Sequence, residues 1–338
     1  MGLNATDVTE GNMFDNKTIL VTGGTGSFGN ACVHRLLTGY KPLKVIVFSR
    51  DELKQSEMAG RFPESQYPAI RFFLGDVRDR DRLYRAFRGV DYVIHAAALK
   101  QVPAAEYNPL EVIKTNILGA ANIIDAAIDR GVKRVIALST DKAVNPLNLY
   151  GATKLCSDKL FVAGNSYVGD SSTQFSVVRY GNVLGSRGSV VQLFREQRLH
   201  GRLTVTDPRM SRFWITLEQS VEFVLESMED MVGGEVFVPK LPSMLVLDLA
   251  KACAPECRVE YIGVRPGEKL HELLISRDEA RNTVMYEKRY IIMPVFPFFY
   301  GRFKSAGSQP VPEEFEYCSA TNERWLTQEE LASLVAGS

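Results

Sequence analysis

The chain has no excess of either charge sign: 40 Lys and Arg stand against 40 Asp and Glu in 338 residues. No general pull toward nucleic acid or an anionic lipid surface is therefore expected. No apolar run reaches the roughly 18–20 residues that a membrane span needs, so no membrane partner is expected either. Residues 1–12 are polar and hold no Lys or Arg, which reads as a flexible leader and not as a signal peptide. Histidine is scarce, at four, and shows no ligand spacing. The five cysteines (Cys32, Cys156, Cys253, Cys257, Cys318) are odd in number, and Cys253-x-x-x-Cys257 has no second pair. Neither a metal site nor a disulfide framework is expected, and the thiols read as reduced in a cytoplasmic protein. There is no internal repeat and no low-complexity tract.

The composition is that of an ordinary soluble chain, with 45% apolar and 24% charged residues, long enough for one large or two modest domains. Short β-branched runs at residues 17–22, 45–48, 70–74, 92–95 and 134–138 alternate with amphipathic stretches such as 81–87 and 110–128. Strands apolar on both faces, separated by helices, predict an α/β fold with a doubly wound parallel sheet. After Tyr180 the rhythm loosens into turns at Gly185, Asp207-Pro208 and Arg265-Pro266-Gly267. The expected organisation is a leader (1–12), a Rossmann-like nucleotide-binding domain (13–183) with later strands returning to its sheet, and a smaller, irregular substrate-binding part (184–338). Residues 295–300 read as an apolar arm, and Thr327-Gln328-Glu329-Glu330 as a capping box opening a last helix.

The first strand runs into Thr22-Gly23-Gly24-Thr25-Gly26-Ser27-Phe28-Gly29. Glycines there let the backbone approach a pyrophosphate, whose charge meets the open N–H groups of a helix start. The spacing fits both G-x-G-x-x-G and G-x-x-G-x-x-G. The second strand ends in Ser49-Arg50-Asp51-Glu52, with Lys54 close behind. An acid at this place reads a ribose 2′-OH, whereas an Arg accommodates a 2′-phosphate. Ser49, Arg50 and Lys54 favour NADP, with Asp51 pulling mildly toward NAD. Asp76 and Val77 after the third strand are placed to meet the adenine, and Ala96, Ala97 and Ala98 after the fourth leave room for a cofactor. His95 reads as a packed core histidine, Lys100 as either solvated or reaching a ligand, and Asn116 as a backbone-bonding residue near the catalytic centre.

Tyr150 and Lys154 are four residues apart and so share a helix face. An ammonium there lowers the phenol pKa, letting the tyrosine take a proton from a hydroxyl as a nicotinamide takes hydride. Thr140-Asp141-Lys142 just upstream adds an acid and an amine, which suggests further acid–base chemistry after alcohol oxidation.

Gly23-x-x-Gly26-x-x-Gly29 with Tyr150-x-x-x-Lys154 resembles the extended short-chain dehydrogenase/reductase family. Within it, the run from Ser139 to Lys154 is similar to the UDP-N-acetylglucosamine 4,6-dehydratases, as are the runs beginning at Phe48, Arg179, Met210 and Arg265. The nearest branch is the soluble, C5-inverting type that opens pseudaminic acid synthesis for flagellin glycosylation. The resemblance implies that Tyr150, assisted by Lys154, deprotonates the sugar 4-OH, with Thr140 bonding that hydroxyl. The 4-ketone then acidifies C5–H, water is eliminated from C5 and C6, and hydride returns to C6. By analogy with an Asp–Glu pair in a related dehydratase, Asp141 is the acid and Lys142 the base. A lysine near its ordinary pKa of about 10.4 is protonated at neutral pH, so burial or cationic neighbours are required.

The same resemblance puts Asn182, Arg187, Ser189 and Gln192 against the nucleotide sugar, with Lys100 beside them. Arg187, Arg212 and Arg265 are the candidate diphosphate cations, and Glu268 either orients Arg265 or touches ligand. Soluble members of the branch are homo-oligomers, dimer or hexamer. Three alternatives stay open: a nucleotide-sugar 4-epimerase, a C5-retaining dehydratase, and a non-catalytic NADP-binding scaffold.

Overall fold

The computed structural model describes residues 12–185, 188–295 and 307–336. The first half alternates β1 (Thr18–Thr22), α1 (Ser27–Gly39), β2 (Lys44–Ser49), α2 (Glu52–Arg61), β3 (Ile70–Leu74), α3 (Arg80–Ala86) and β4 (Tyr92–His95). It continues through the short helices α4 (Val102–Tyr107) and α5 (Pro109–Ile113), a π-turn (Lys114–Leu118), α6 (Gly119–Arg130), β5 (Arg134–Thr140), α7 (Leu149–Gly164) and β6 (Gln174–Tyr180). All five residues of β1 are buried, as a strand covered by helices on both faces requires.

The parallel part of the sheet has the order β3-β2-β1-β4-β5-β6, and Val236–Pro239 then pairs parallel to β6. Arg289–Ile292, Thr283–Met285 and Gln309–Pro310 extend that edge in antiparallel sense. Chain order reverses between β1 and β4. Their carboxyl ends part there, leaving the crevice in which open α/β sheets bind ligands.

Strands from the later part of the chain thus complete the first sheet. A separate apolar cluster, including Phe194, Leu203, Trp214, Met244, Leu249 and Leu331, packs the rest of that part. It holds the helices Val190–Arg198, Val246–Cys253 and Gln328–Ala336 together. The last of these opens on the expected box: the Glu330 N–H donates to Thr327 Oγ1 at 3.2 Å and the Thr327 N–H to Glu330 Oε2 at 2.9 Å. Among the described residues no helix is long and apolar enough to cross a membrane. The leader, apart from Asn12, and the arm, apart from Val295, lie outside the described residues.

Candidate active site

A cavity of about 640 Å3 lies along the carboxyl ends of β1 to β6. Gly23, Thr25, Gly26, Ser27, Phe28 and Gly29 form one end of its wall, with Ser49, Arg50, Asp51, Lys54, Asp76, Val77, Ala96, Ala97 and Ala98 beside them. Gly23 has φ +65°, and a Cβ there would sit 2.8 Å from the Ala97 nitrogen, so only glycine lets β1 turn this close to β4. The turn delivers the backbone to the start of α1, a helix with no side-chain cap on its first N–H groups. A loop of small residues, a helix start without a side-chain cap and an adjoining crevice fit a dinucleotide.

At the end of β2, Asp51 caps α2 by accepting from the Lys54 N–H at 3.0 Å and pairs with Lys54 Nζ at 2.8 Å. Arg50 stands 3.7 Å from Asp76 with its side chain 53% exposed. Glu52, expected at the cofactor, is instead an exposed residue of the first turn of α2, outside the cavity wall. Once Asp51 takes the cap, the next residue is carried round the helix away from the crevice.

The far end of the cavity is lined by Thr140, Lys142, Tyr150 and Lys154, with Lys100, Asn182 and Ser189 opposite. Asn148 caps α7, accepting from the Gly151 N–H at 2.8 Å, which sets the helix running from this wall. Gly151 lies against the preceding turn: a Cβ there would be 2.1 Å from the Lys142 carbonyl oxygen. Gly151→Ala is therefore expected to push the turn off the helix, costing about 1–3 kcal/mol, read as a lower urea midpoint. The π-turn places Asn116 at the same point. Its side chain donates to the Leu99 carbonyl and Thr153 Oγ1 at 2.9 and 3.0 Å and accepts from the Leu99 N–H at 2.9 Å.

The phenol of Tyr150 is pushed up to about 12, by burial first, against the lowering charge of Lys142. Lys154, expected to lower it, is itself drawn down by burial while Asp158, one turn along α7, acts to raise it. Asp158 is in turn 3.5 Å from the buried Arg179 and accepts from Ser139 Oγ at 2.7 Å. His95 is a core residue, 2.8 Å from Thr22 Oγ1, and burial pushes it down to about 3.

Asp141 is wholly buried behind Thr140 and Lys142. Its Oδ1 accepts from Thr140 Oγ1 at 2.9 Å and from Lys142 Nζ at 3.0 Å. Sequence reasoning missed a second carboxyl at Lys142: Glu272, 2% exposed, brings Oε1 to 3.4 Å from Lys142 Nζ. Burial acts to lower the Lys142 pKa, but the carboxylates of Asp141 and Glu272 outweigh it and hold the amine protonated. The required burial is present and Arg212 acts the same way, but the two carboxylates outweigh both. Glu272 sits in the run beginning at Arg265 that had been assigned only to the nucleotide sugar.

The remaining candidates fall elsewhere. Arg212 is buried and donates to the Ser211, Leu270 and Lys269 carbonyls at 2.7, 3.1 and 3.0 Å, bracing the segment that carries Glu272. Arg265 and Glu268 pair at 4.0 Å on a turn outside the cavity wall, which Asn148 ties to the start of α7 through the Gly267 carbonyl at 2.8 Å. Gln192 accepts from the Gly188 N–H at 2.9 Å and so supports the loop instead of lining the cavity. Arg187 lies outside the described residues. Trp214 and Leu217 also line the cavity; Trp214 belongs to the run beginning at Met210, where only Arg212 was singled out, and Leu217 follows that run with no motif to mark it.

Residues 19–294 match the family of polysaccharide biosynthesis proteins. The chain is 54% identical to the UDP-N-acetylglucosamine 4,6-dehydratase (inverting) of Campylobacter jejuni over 96% of this chain and 98% of that one. It is 42% identical to a UDP-glucose 4-epimerase of Rickettsia conorii, covering 96% of each. Of solved structures, Pen from Bacillus thuringiensis superposes with a TM-score of 0.89 at 37% identity, over 96% of this chain and 99% of its own. DesIV of Streptomyces venezuelae, a dTDP-glucose 4,6-dehydratase with NAD bound, shares the fold with a TM-score of 0.66 at 24% identity, over 75% and 86%. A glycine-cradled crevice, a Tyr–Lys pair on one helix face and sequence identity over nearly the whole length agree, and the chain belongs to the polysaccharide biosynthesis protein family, with the extended short-chain dehydrogenase/reductase fold.

Proposed function

We propose that this protein is an NADP-dependent, C5-inverting UDP-N-acetylglucosamine 4,6-dehydratase, a hydro-lyase. The observation that carries the reading is a second acid–base set beside Tyr150: Lys142 lines the same cavity wall, and its Nζ is 3.0 Å from the carboxylate of Asp141 buried behind it. Alcohol oxidation alone uses only the Tyr–Lys pair; elimination of water needs a further acid and a further base. The relatives' names point the same way.

When bound, the nicotinamide ring supplies the acceptor and then the donor of the hydride. Gly23, Gly26 and Gly29 with the start of α1 would hold its pyrophosphate, and Ala96 to Ala98 its flank. Tyr150 takes the proton of the sugar 4-OH, with Lys154 stabilising the phenolate and Thr140 orienting the hydroxyl. A proton passing from Lys142 Nζ to Asp141 Oδ1, across the 3.0 Å hydrogen bond, makes an amine and a carboxylic acid in one move. The amine removes C5–H, acidified by the 4-ketone, and the buried acid protonates the departing 6-OH by way of the Thr140 hydroxyl, which lies between Asp141 and the cavity. Lys100, Asn182, Ser189 and Arg187 are the proposed contacts of the nucleotide sugar. The product would be UDP-2-acetamido-2,6-dideoxy-β-L-arabino-hex-4-ulose, the first intermediate of pseudaminic acid synthesis, made in the cytoplasm by a homo-oligomer.

For the cofactor, Arg50 supports NADP: it lies on the cavity wall, whereas Asp51 is engaged with Lys54. Arg50→Ala is expected to weaken NADP at least about tenfold, one charge-assisted contact being roughly 1.5–3 kcal/mol, and to leave NAD nearly unchanged in a titration of tryptophan fluorescence. Equal losses would move the assignment to NAD.

The second reading is a 4-epimerase, which the R. conorii relative's name supports. Mass spectrometry of the product separates the two. A dehydratase yields a nucleotide sugar lighter by one water with no net consumption of cofactor; an epimerase yields one of unchanged mass.

A further inference from the structure

Three cations and two carboxylates share one buried cluster behind the turn Thr140-Asp141-Lys142. Glu272 is its hub: Oε1 stands 3.4 Å from Lys142 Nζ and 3.8 Å from Arg212 Nε, and Oε2 stands 3.9 Å from Lys269 Nζ. Its backbone is fixed on both sides, the Glu272 N–H donating to Ser319 Oγ at 2.9 Å and the Ser319 N–H to the Glu272 carbonyl at 2.9 Å. The strand Leu273–Ile275, paired with Tyr317–Cys318, follows at once and fixes the carboxylate's direction. Yet Oε2, buried, has no hydrogen-bond partner among the described residues. A buried carboxylate held by ion pairs alone, with one oxygen unbonded, costs stability that well-packed apolar groups would not. Its retention at this point calls for a task.

We propose that Glu272 is a positioning residue of the elimination site, which fixes the Lys142 amine and sets the pH at which the Lys142–Asp141 pair comes down to the one shared proton that elimination uses. The inference rests on the dehydratase reading. Without Glu272, Lys142, Lys269 and Arg212 would face Asp141 alone, and mutual repulsion would drive the flexible lysine out of the cluster. With it, the ammonium is held between two carboxylates, at 3.0 and 3.4 Å, on the cavity wall. For Lys142 to act as base, an Nζ–H bond breaks and an O–H bond forms on Asp141 Oδ1; the lone pair left on nitrogen then takes the C5 proton. The negative charge of Glu272 opposes the first of these steps and so tunes it. Every charged or titratable group facing Lys142 enters the balance: Asp141 of its own turn, Glu272 and Lys269 of the segment before Leu273, Arg212 of the strand Ser211–Ile215, Tyr150 of α7, and Lys100 of the loop after β4.

The test is the rate of deuterium incorporation at C5 during turnover of UDP-N-acetylglucosamine in D2O, followed against pH. Removing an anion beside an ammonium lowers its pKa, and a neighbouring opposite charge is worth about 1–3 units. In Glu272→Gln, which keeps an oxygen to accept from Lys142, the rising limb should therefore move to lower pH by about one unit or more. Lys269→Met removes a cation that competes for Glu272, and should move the limb the other way. A purely structural Glu272 would scale the rate and leave the limb in place in both variants, and that result overturns the inference. If Glu272→Gln does not fold, Glu272→Asp, which draws the charge back by one methylene, should move the limb the same way by less, and no shift in that variant overturns the inference. Absence of C5 deuterium in the parent enzyme would instead remove the dehydratase reading, which separates the two failures.

Discussion

Tyr150→Phe is expected to reduce turnover of UDP-N-acetylglucosamine by about 10²–10⁴-fold, the usual contribution of a positioned general base. The ring is retained, so the cavity wall and the helix start keep their shape. The lost atom is the one that receives the 4-OH proton. Burial holds this phenol at about 12, so it is protonated at neutral pH until cations draw it down. Lys142 already acts in that direction, and a positively charged nicotinamide ring would add to it. Because C5–H becomes acidic only once C4 is a ketone, the variant should lose C5 exchange together with hydride transfer. Cofactor affinity should stay within a few-fold of the parent. Normal turnover would show that another group takes the 4-OH proton and would break the analogy with the Tyr–Lys enzymes.

Lys142→Ala should separate the two halves of the reaction. Oxidation at C4 proceeds, so reduced cofactor accumulates on addition of substrate, while deuterium at C5 falls by at least about 10²-fold. The variant also leaves Asp141 and Glu272, 0% and 2% exposed, without the ammonium between them. Breaking a buried pair in this way costs about 3–5 kcal/mol, so a lower melting temperature is part of the prediction. Retained cofactor binding identifies the folded protein. Retained C5 exchange would clear Lys142 of the base role and leave Asp141–Lys142 as a charge pair of the turn.

The two variants probe parts of the site that differ in how far the sequence exposes them. The glycine loop and the Tyr150–Lys154 pair are local: a strand-to-helix turn and one helical turn fix which atoms meet, so spacing alone reads them. The parallel sheet is legible for the same reason, since β1, β2, β4 and β5 are runs buried on both faces. Glu52 shows the limit of reading by adjacency, because capping by Asp51 turns the next side chain to solvent. Arg212 shows another: a buried guanidinium must satisfy its donors, and three backbone carbonyls took them. Glu272 was out of reach altogether. It meets Lys142 only because Leu273–Ile275 pairs with Tyr317–Cys318, a contact between two segments distant in sequence from the turn they serve.

Proton NMR of the purified protein with UDP-N-acetylglucosamine and catalytic NADP in D2O tests the central claim most directly. The account predicts a 4-keto-6-deoxy sugar with deuterium at C5 and the L-arabino configuration, which reports elimination, cofactor recycling and inversion at once. The D-xylo product would keep the elimination and contradict the inversion. UDP-N-acetylgalactosamine with its 6-OH intact would contradict the dehydratase itself.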